Sequence, residues 1–407
     1  MSTLQDYYHL TKETFSIDPW DDADIYFGDQ ELERRIRRRL EADFVQQRGV
    51  PKFFVSGRYG AGKTHTLAHI RHVLVSDPGL TRDFPTEPIY FEISPIRGRE
   101  SWATIHERLI NAIGLGRLKE AMAATLSGGG AAGDPIEALE AKGVLRYGEE
   151  AIKKSQAQIF RNLLFGGRQE TLSWEWLKGR ALKVDEAQML RTETNLAAPP
   201  DFIACLLNVA SLIHKGLGRK IVFLIDEGEA VGNLTNADSL EEFVFAFRRL
   251  VDPENNALGV IVAYESEGGG MEAAPRLFQH PAIVRRVDYA QGFFDLSTLL
   301  PTETRAAQEF IVQVLGHLVD QDRAREIVQG EGLETEPEYF PFTKEAVDAI
   351  ADFVTQDPDR TLPSQIIALL SNAVVEAWRR RDEAMPDAIH VLVDEEIANI
   401  VMYPEEL

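Results

Sequence analysis

Hydrophobic and polar positions fall into two rhythms along this chain. Short, nearly unbroken apolar runs recur at VPKFFVS (50–56), PIYFEISPI (88–96), KIVFLIDE (220–227) and ALGVIVAYES (257–266). Runs of that length suit strands covered on both faces, the habit of parallel sheets. Between them apolar residues return at helical spacing. Leu67, Ile70, Val73 and Leu74 follow the first run, and WATIHERLINAIGLG (102–116) follows the second. Helices are also predicted at 201–215 and 239–250. Alternating strands and helices argue for a doubly wound α/β core with a parallel sheet flanked by helices. From about residue 301 the rhythm is helical throughout. Val347, Ile350, Ala351 and Val354 repeat at i, i+3, i+4 and i+7, and LPSQIIALLSNAVVEAW (362–378) continues in kind. The composition shifts between the second and third strands. LSGGGAAGDP (126–135) reads as a loop, polar helical stretches run to about 195, and APP (198–200) closes the section. The expected organisation is a core over 1–300 carrying a helical insertion at about 117–200, then an α-helical domain and tail over 301–407. No internal repeat is visible.

Composition narrows the setting. The 407 residues are 44% hydrophobic and 27% charged, a globular balance with room for two or three domains. No apolar run is long enough to span a membrane, and FIACLLNVASLI (202–213) reads as a buried helix. MSTLQDYYHL lacks the basic start and apolar core of a signal peptide, so a cytoplasmic protein is expected. The single cysteine, Cys205, excludes an internal disulfide framework and a multi-cysteine metal site, and reads as a core residue. A net charge of −22 repels nucleic acid on average, so DNA binding would need a local basic surface. The densest basic stretch, ERRIRRRLEADF (33–44), holds Arg34, Arg35, Arg37, Arg38 and Arg39 among acids, with Ile36, Leu40 and Phe44 four apart. An amphipathic helix with a salt-bridged face accounts for it better than a DNA or partner patch.

The chemistry begins at GRYGAGKTHT (57–66). Gly57, Gly62, Lys63 and Thr64 fit G-x-x-x-x-G-K-[ST], the loop that cradles nucleotide phosphates. Glycines let backbone N–H groups turn inward, a lysine reaches the β- and γ-phosphates, and a hydroxyl serves Mg²⁺. The run Gly57, Arg58, Tyr59, Gly60, Ala61, Gly62, Lys63, Thr64, His65 is therefore the candidate binding segment for ATP, lying between a predicted strand and a predicted helix. Asp226 and Glu227 end the KIVFLIDE run at the strand's carboxyl edge, where such sheets bind ligands. Asp226 suits the shell of Mg²⁺ and Glu227 the polarising of an attacking water, with Glu229 in reserve. A P-loop small-molecule kinase is the rival arrangement. LSGG (126–129) copies the core of a transporter-ATPase signature, but its distance from the acidic strand makes a loop the better account.

The order of phosphate loop, apolar strand ending in Asp-Glu, next strand, arginine pair and helical tail resembles an AAA+ ATPase, nearest to the replication-initiator branch. IYFGDQELERRI is similar to that family's F-x-G-R-E-x-E-L start, with Asp29 where arginine is usual. The resemblance implies that Ile25, Tyr26 and Phe27 lie on the adenine side, with packing alone as the equal alternative. It implies a first sensor at Glu265 or Ser266, where asparagine or threonine is usual. It places an arginine finger in HPAIVRRVDY (280–289), Arg286 first and Arg285 second, acting on a neighbouring subunit's ATP. Arginine suits that task because its charge offsets the spread negative charge of a transferring phosphoryl group. Where the family has Pro-Arg at the lid helix, this chain reads RTLPSQII, with Ser364 at the arginine's place and Arg360 as the substitute second sensor. RYGAGKTHTLAHI, SWEWLKGRAL and IVFLIDEGEAV also resemble bacterial phage-defence ATPases of the BREX kind. Trp174 and Trp176 of that second stretch read first as packing for the insertion. No winged-helix module is recognised after the lid. The implied function is Mg²⁺-dependent ATP hydrolysis by a homo-oligomer, a ring or filament, acting on DNA or a partner protein. The alternatives are a nucleotide-switched module that recruits an effector protein, and a DNA or helicase loader.

Overall fold

The computed structural model describes residues 3–28, 30–46, 49–81, 85–93, 102–127, 135–232, 237–252, 254–266, 274–287, 292–381 and 390–404. Asp29, residues 94–96, the glycine-rich part of LSGGGAAGDP and the end of HPAIVRRVDY lie outside them. The chain forms two compact units. One comprises residues 34–57 and 70–295, the other residues 1–33, 58–69 and 296–407.

The first unit is built on a parallel sheet of five strands in the order β2-β3-β4-β1-β5. They are β1 (Lys52–Gly57), β2 (Thr86–Glu92), β3 (Lys220–Asp226), β4 (Leu258–Glu265) and β5 (Phe293–Asp295). Every residue of β1 and β3 is buried, as is all of β4 before Glu265, which is why their sequences show no polar alternation. Because the strands are parallel, their carboxyl ends share one edge. The register sets Gly57 beside Glu265 and Glu92 beside Asp226. The strand β5 was not foreseen; it is too short to carry a pattern, and it joins through Phe293 and Phe294, which pack on Phe54 and Phe53. The amino edge is closed by two buried lysines. Lys52 Nζ donates to the Asn255 carbonyl at 2.7 Å and Lys220 Nζ to that of Gly49 at 2.7 Å. Burial pulls both ammonium groups down to about 8.

The basic stretch forms the helix Gln30–Glu41 running into a π-turn at Ala42–Gln46. Ile36, Leu40 and Phe44 are buried, Arg37 pairs with Asp77 at 2.9 Å, Arg39 with Asp43 at 2.9 Å, and Arg35 lies over Phe294. The amphipathic, salt-bridged reading holds for these residues.

The predicted helix 102–116 breaks in two, Trp102–Ile113 and Leu115–Ser127, because Gly114 takes a left-handed φ of 87°. Further helices follow at Pro135–Ala141, Glu150–Asn162, Gly167–Leu177 and Val184–Leu190. Trp102–Ile113, Leu115–Ser127 and Glu150–Asn162 pack on Pro199–Leu217, which starts with prolines in its first turn and is buried from Phe202 to Ile213. Gly216 lets this helix cross Leu115–Ser127 closely, since a Cβ there would sit 2.2 Å from the Ala121 carbonyl oxygen. Buried Asn208 meets its polar needs by accepting from the N–H groups of Arg146 and Tyr147 and donating to Tyr147 O and Gln156 Oε1. Cys205 is buried beside it, and burial pushes its thiol up, as expected for a core residue. Trp176 is fully buried with its indole N–H on the Thr194 carbonyl at 3.1 Å, so SWEWLKGR packs the insertion here.

The second unit is helical. Thr304–Leu318, Gln321–Glu331, Lys344–Thr355, Pro363–Arg380 and Glu395–Met402 enclose one core with Phe310, Val314, Phe342, Ile350 and Leu370 at its centre. Asp320, Thr343 and Asp394 cap three of these helices through their side chains. Tyr8, Leu10 and Phe15 belong to the same core. The Tyr8 hydroxyl donates to the Val391 carbonyl at 2.8 Å, and the Val391 N–H donates to the Tyr7 hydroxyl at 2.9 Å. Among the described residues no helix is long and apolar enough to cross a membrane.

Candidate functional site

The candidate nucleotide loop leaves the sheet at Gly57, whose carbonyl accepts the Ser266 N–H at 3.2 Å. Gly60 and Gly62 take left-handed φ values of 80° and 92°. Side chains resist that conformation by ~1–2 kcal/mol, so these glycines let the loop fold back over itself. The Ala61 N–H reaches the Arg58 carbonyl at 3.1 Å, and the Lys63 ammonium donates to the same carbonyl at 3.1 Å. Lys63 and Thr64 open the helix Lys63–Ser76, whose first-turn N–H groups face the loop. Tyr59 is exposed at the tip.

The segment Ile25–Phe27 lies on that helix's first turn. His65 Nε2 meets the Ile25 carbonyl at 2.9 Å, Tyr26 OH is 3.5 Å from Thr66 Oγ1, and the Phe27 ring is 5.4 Å from that of His65. Partial burial pulls the His65 imidazole below its usual range, against the pull of the Ile25 hydrogen bond. A groove of about 430 Å³ adjoins the segment, lined by Ile25, Tyr26, Gln30, Gln313 and His317. The loop tip also meets the helix Pro363–Arg380. The Ser364 N–H donates to the Gly60 carbonyl at 3.3 Å, and Arg58 pairs with Asp359 at 2.7 Å. Arg360 is engaged elsewhere, stacked 4.0 Å over the Phe353 ring and 3.7 Å from Asp357.

At the end of β3, Asp226 is buried. Its Oδ2 accepts from the Tyr90 hydroxyl at 3.1 Å and its Oδ1 from the Glu227 N–H at 3.0 Å. Glu227 follows with φ 59°, a left-handed conformation that few side chains adopt. Gly228 then presses on β4: its N–H reaches the Ala263 carbonyl at 2.8 Å, and a Cβ there would lie 2.5 Å from Val262. Glu229 accepts the Glu265 N–H at 2.8 Å. Glu227 reaches solvent, yet partial desolvation, then the charges of Glu229 and Asp226, hold its carboxyl above the usual range. Burial and the Asp226 charge raise the Tyr90 phenol, which keeps it a donor.

The two first-sensor candidates differ. Glu265 is exposed, whereas Ser266 is buried and its Oγ has no hydrogen-bond partner among the described residues. A buried unpaired hydroxyl beside the β1 carboxyl end suits a ligand's oxygen. Arg286 and Arg285 lie on the helix Pro281–Val287. Arg286 is drawn to Asp252 at 3.4 Å and to the Ala282 carbonyl at 2.8 Å, while Arg285 is exposed.

Tyr90 and Glu92 were not singled out in the sequence. The strand's alternation puts them on one face, and the register with β3 brings that face to Asp226. Left-handed glycines opening a helix, a lysine and a hydroxyl fit a polyphosphate. Thr64 and Asp226 each carry a hard oxygen donor of the kind Mg²⁺ prefers, one at the start of the helix Lys63–Ser76 and the other at the end of β3. Among the described residues no cluster of three or more His, Cys, Asp or Glu could hold a metal by itself.

No family profile matches the chain, and no match is found among curated proteins. Solved structures do resemble it. The ORC1 protein of Aeropyrum pernix, determined in complex with DNA, matches with a TM-score of 0.44 at 12% identity, over 94% of this chain and 66% of that one. The ORC2 protein of Aeropyrum pernix, in ADPNP and ADP complexes, matches with a TM-score of 0.46 at 11% identity, over 97% and 72%. Domain III of the Thermotoga maritima replication initiation protein DnaA matches with a TM-score of 0.37 at 12% identity, over 96% and 98%.

Proposed function

We propose that this chain is a Mg²⁺-dependent ATPase of the AAA+ type that works as a homo-oligomer. The observation that carries the reading is the loop itself: it leaves a buried parallel strand, turns through two left-handed glycines and opens a helix on Lys63 and Thr64. The sheet edge it leaves is the edge on which β3 ends in Asp226 and Glu227. In this reading the loop amides and Lys63 hold the β- and γ-phosphates, Thr64 and Asp226 serve the cation, and Ile25–Phe27 lie along the base. The cation would neutralise charge on the phosphates. Glu227 takes a proton from the attacking water, Ser266 or Glu265 senses the γ-phosphate, and Arg286 or Arg285 acts on the next subunit's nucleotide. DNA or a partner protein is the substrate of the resulting motion, in a DNA-transaction or defence complex.

Steady-state ATP hydrolysis against protein concentration tests this. Glu227→Gln should lose about 10²-fold or more. Arg286→Ala, or failing that Arg285→Ala, should lose about 10³-fold with a faster-than-linear concentration dependence in the wild type. Hydrolysis that is linear in protein and indifferent to both arginines would refute a shared site.

A second reading, a slow nucleotide-switched module that recruits an effector, is favoured by one observation. Arg360, the substitute second sensor, is occupied by Phe353 and Asp357. A DNA or helicase loader is the third, and salt-dependent DNA affinity would separate it from the switch.

A further inference from the structure

The phosphate-loop motif demands glycine at positions 57 and 62 but not at 60. The φ of 80° at Gly60 already favours glycine, and the neighbours of that residue add a second reason. Helix Pro363–Arg380 has no side-chain cap, since Leu362 stands at its N-cap and Pro363 opens it. Its first turn therefore presents N–H groups that need an acceptor from elsewhere. The Ser364 N–H finds the Gly60 carbonyl at 3.3 Å. A Cβ on residue 60 would sit 2.2 Å from Ser364 Oγ and 3.3 Å from Ser364 Cβ, so a side chain there would push the Ser364 hydroxyl aside and crowd the approach. A second strut lies beside it, the Arg58–Asp359 ion pair at 2.7 Å. Arg58 also offers the carbonyl to which Lys63 donates. One short stretch of loop thus holds the Lys63 ammonium from inside and caps a helix on its outer side.

We propose that Ser364 and Asp359 are positioning residues for the phosphate loop, and that the helix Pro363–Arg380 reads the nucleotide through the Gly60 carbonyl rather than through a side chain of its own. The inference rests on the nucleotide reading of the loop. When Lys63 leaves the Arg58 carbonyl for a phosphate, the Arg58–Gly60 backbone is free to move, and the helix start moves with it. Serine at position 364 suits this arrangement, because the contact is made by its backbone N–H against a loop that leaves little room.

The test is equilibrium binding of fluorescent ATP and ADP analogues to the full chain, with thermal melting alongside. Ser364→Pro removes the donor in a helix turn that tolerates proline, and its ring carbon displaces the Gly60 carbonyl from the helix start. It should bind ATP at least about fivefold more weakly, the lost hydrogen bond alone being worth about that much. Ser364→Ala keeps the N–H and should bind like the wild type. A contact that is only structural would lower Tm in Ser364→Pro and leave affinity unchanged, which overturns the proposal. Should Ser364→Pro not fold, hydrogen exchange of the wild type decides. Amides at the start of Pro363–Arg380 should change protection when ATP saturates the protein, and unchanged exchange overturns the proposal. If the wild type and Lys63→Ala alike bind no nucleotide, the underlying reading fails first and takes this one with it.

Discussion

Two turns leave the carboxyl edge of the same sheet, and both enter the left-handed region of backbone space by different means. The turn after β1 does so at Gly60 and Gly62, where the conformation carries no side-chain penalty. The turn after β3 does so at Glu227, a residue with a full side chain, and places its glycine one position later. Gly228 is a glycine for space, not for φ, because Val262 and the Ala263 carbonyl leave no room for a Cβ. The first turn is a relaxed cradle. The second is held in tension by its packing on β4, with a candidate catalytic carboxylate at the strained position. Strain of ~1–3 kcal/mol persists only where surrounding structure over-determines it. Here Gly228, the Glu229–Glu265 hydrogen bond and the Glu227 carbonyl's bond to Ala230 supply that constraint.

The contrast can be broken most severely at Gly228. Gly228→Ala puts a methyl group into Val262 and the β4 backbone and should destabilise the protein by ~3 kcal/mol, read as a lower urea midpoint. At Gly62 a Cβ meets nothing within 4 Å. Gly62→Ala should therefore carry only the conformational penalty, ~1–2 kcal/mol, together with weaker nucleotide binding in titration. Glu227→Gly should move stability the other way, raising it by about 1 kcal/mol while hydrolysis is lost. A Glu227→Gly protein less stable than Glu227→Gln would show that the turn is not strained. The smallest effect is expected at Tyr90→Phe, which takes one donor from buried Asp226 at ~1 kcal/mol. Its melting temperature should fall by a few degrees at most.

The relaxed turn could be read from the sequence and the tense one only in part. Glycines at set spacing announce a loop, since few residues accept those backbone angles. Nothing announces a left-handed glutamate, because the cause lies in Val262 and Ala263 across the sheet. The long strands were legible because burial on both faces leaves an unbroken apolar run. Phe293–Asp295 was too short for one, and Gly114 sat inside a helical rhythm that tolerates a glycine until the structure shows the break. The contacts of Ile25 and Phe27 with His65 carry no local pattern of their own. Tyr90 meeting Asp226 and Ser364 meeting Gly60 depend on strand register and on a distant helix, and neither leaves a local pattern.

The core shared by Tyr8, Leu10 and Phe15 with the distant helices also dictates a timetable for synthesis. The Tyr8–Val391 bond spans 383 positions, which a ribosome adding ~5–20 residues per second covers in on the order of 20–80 s. Until the helices from Thr304 onward emerge, the apolar side chains of Tyr8, Leu10 and Phe15 lack the partners of their core, while all the strands of the sheet emerge and can pair. The sheet unit is therefore free to complete itself first, and a segment made among the earliest is docked among the last.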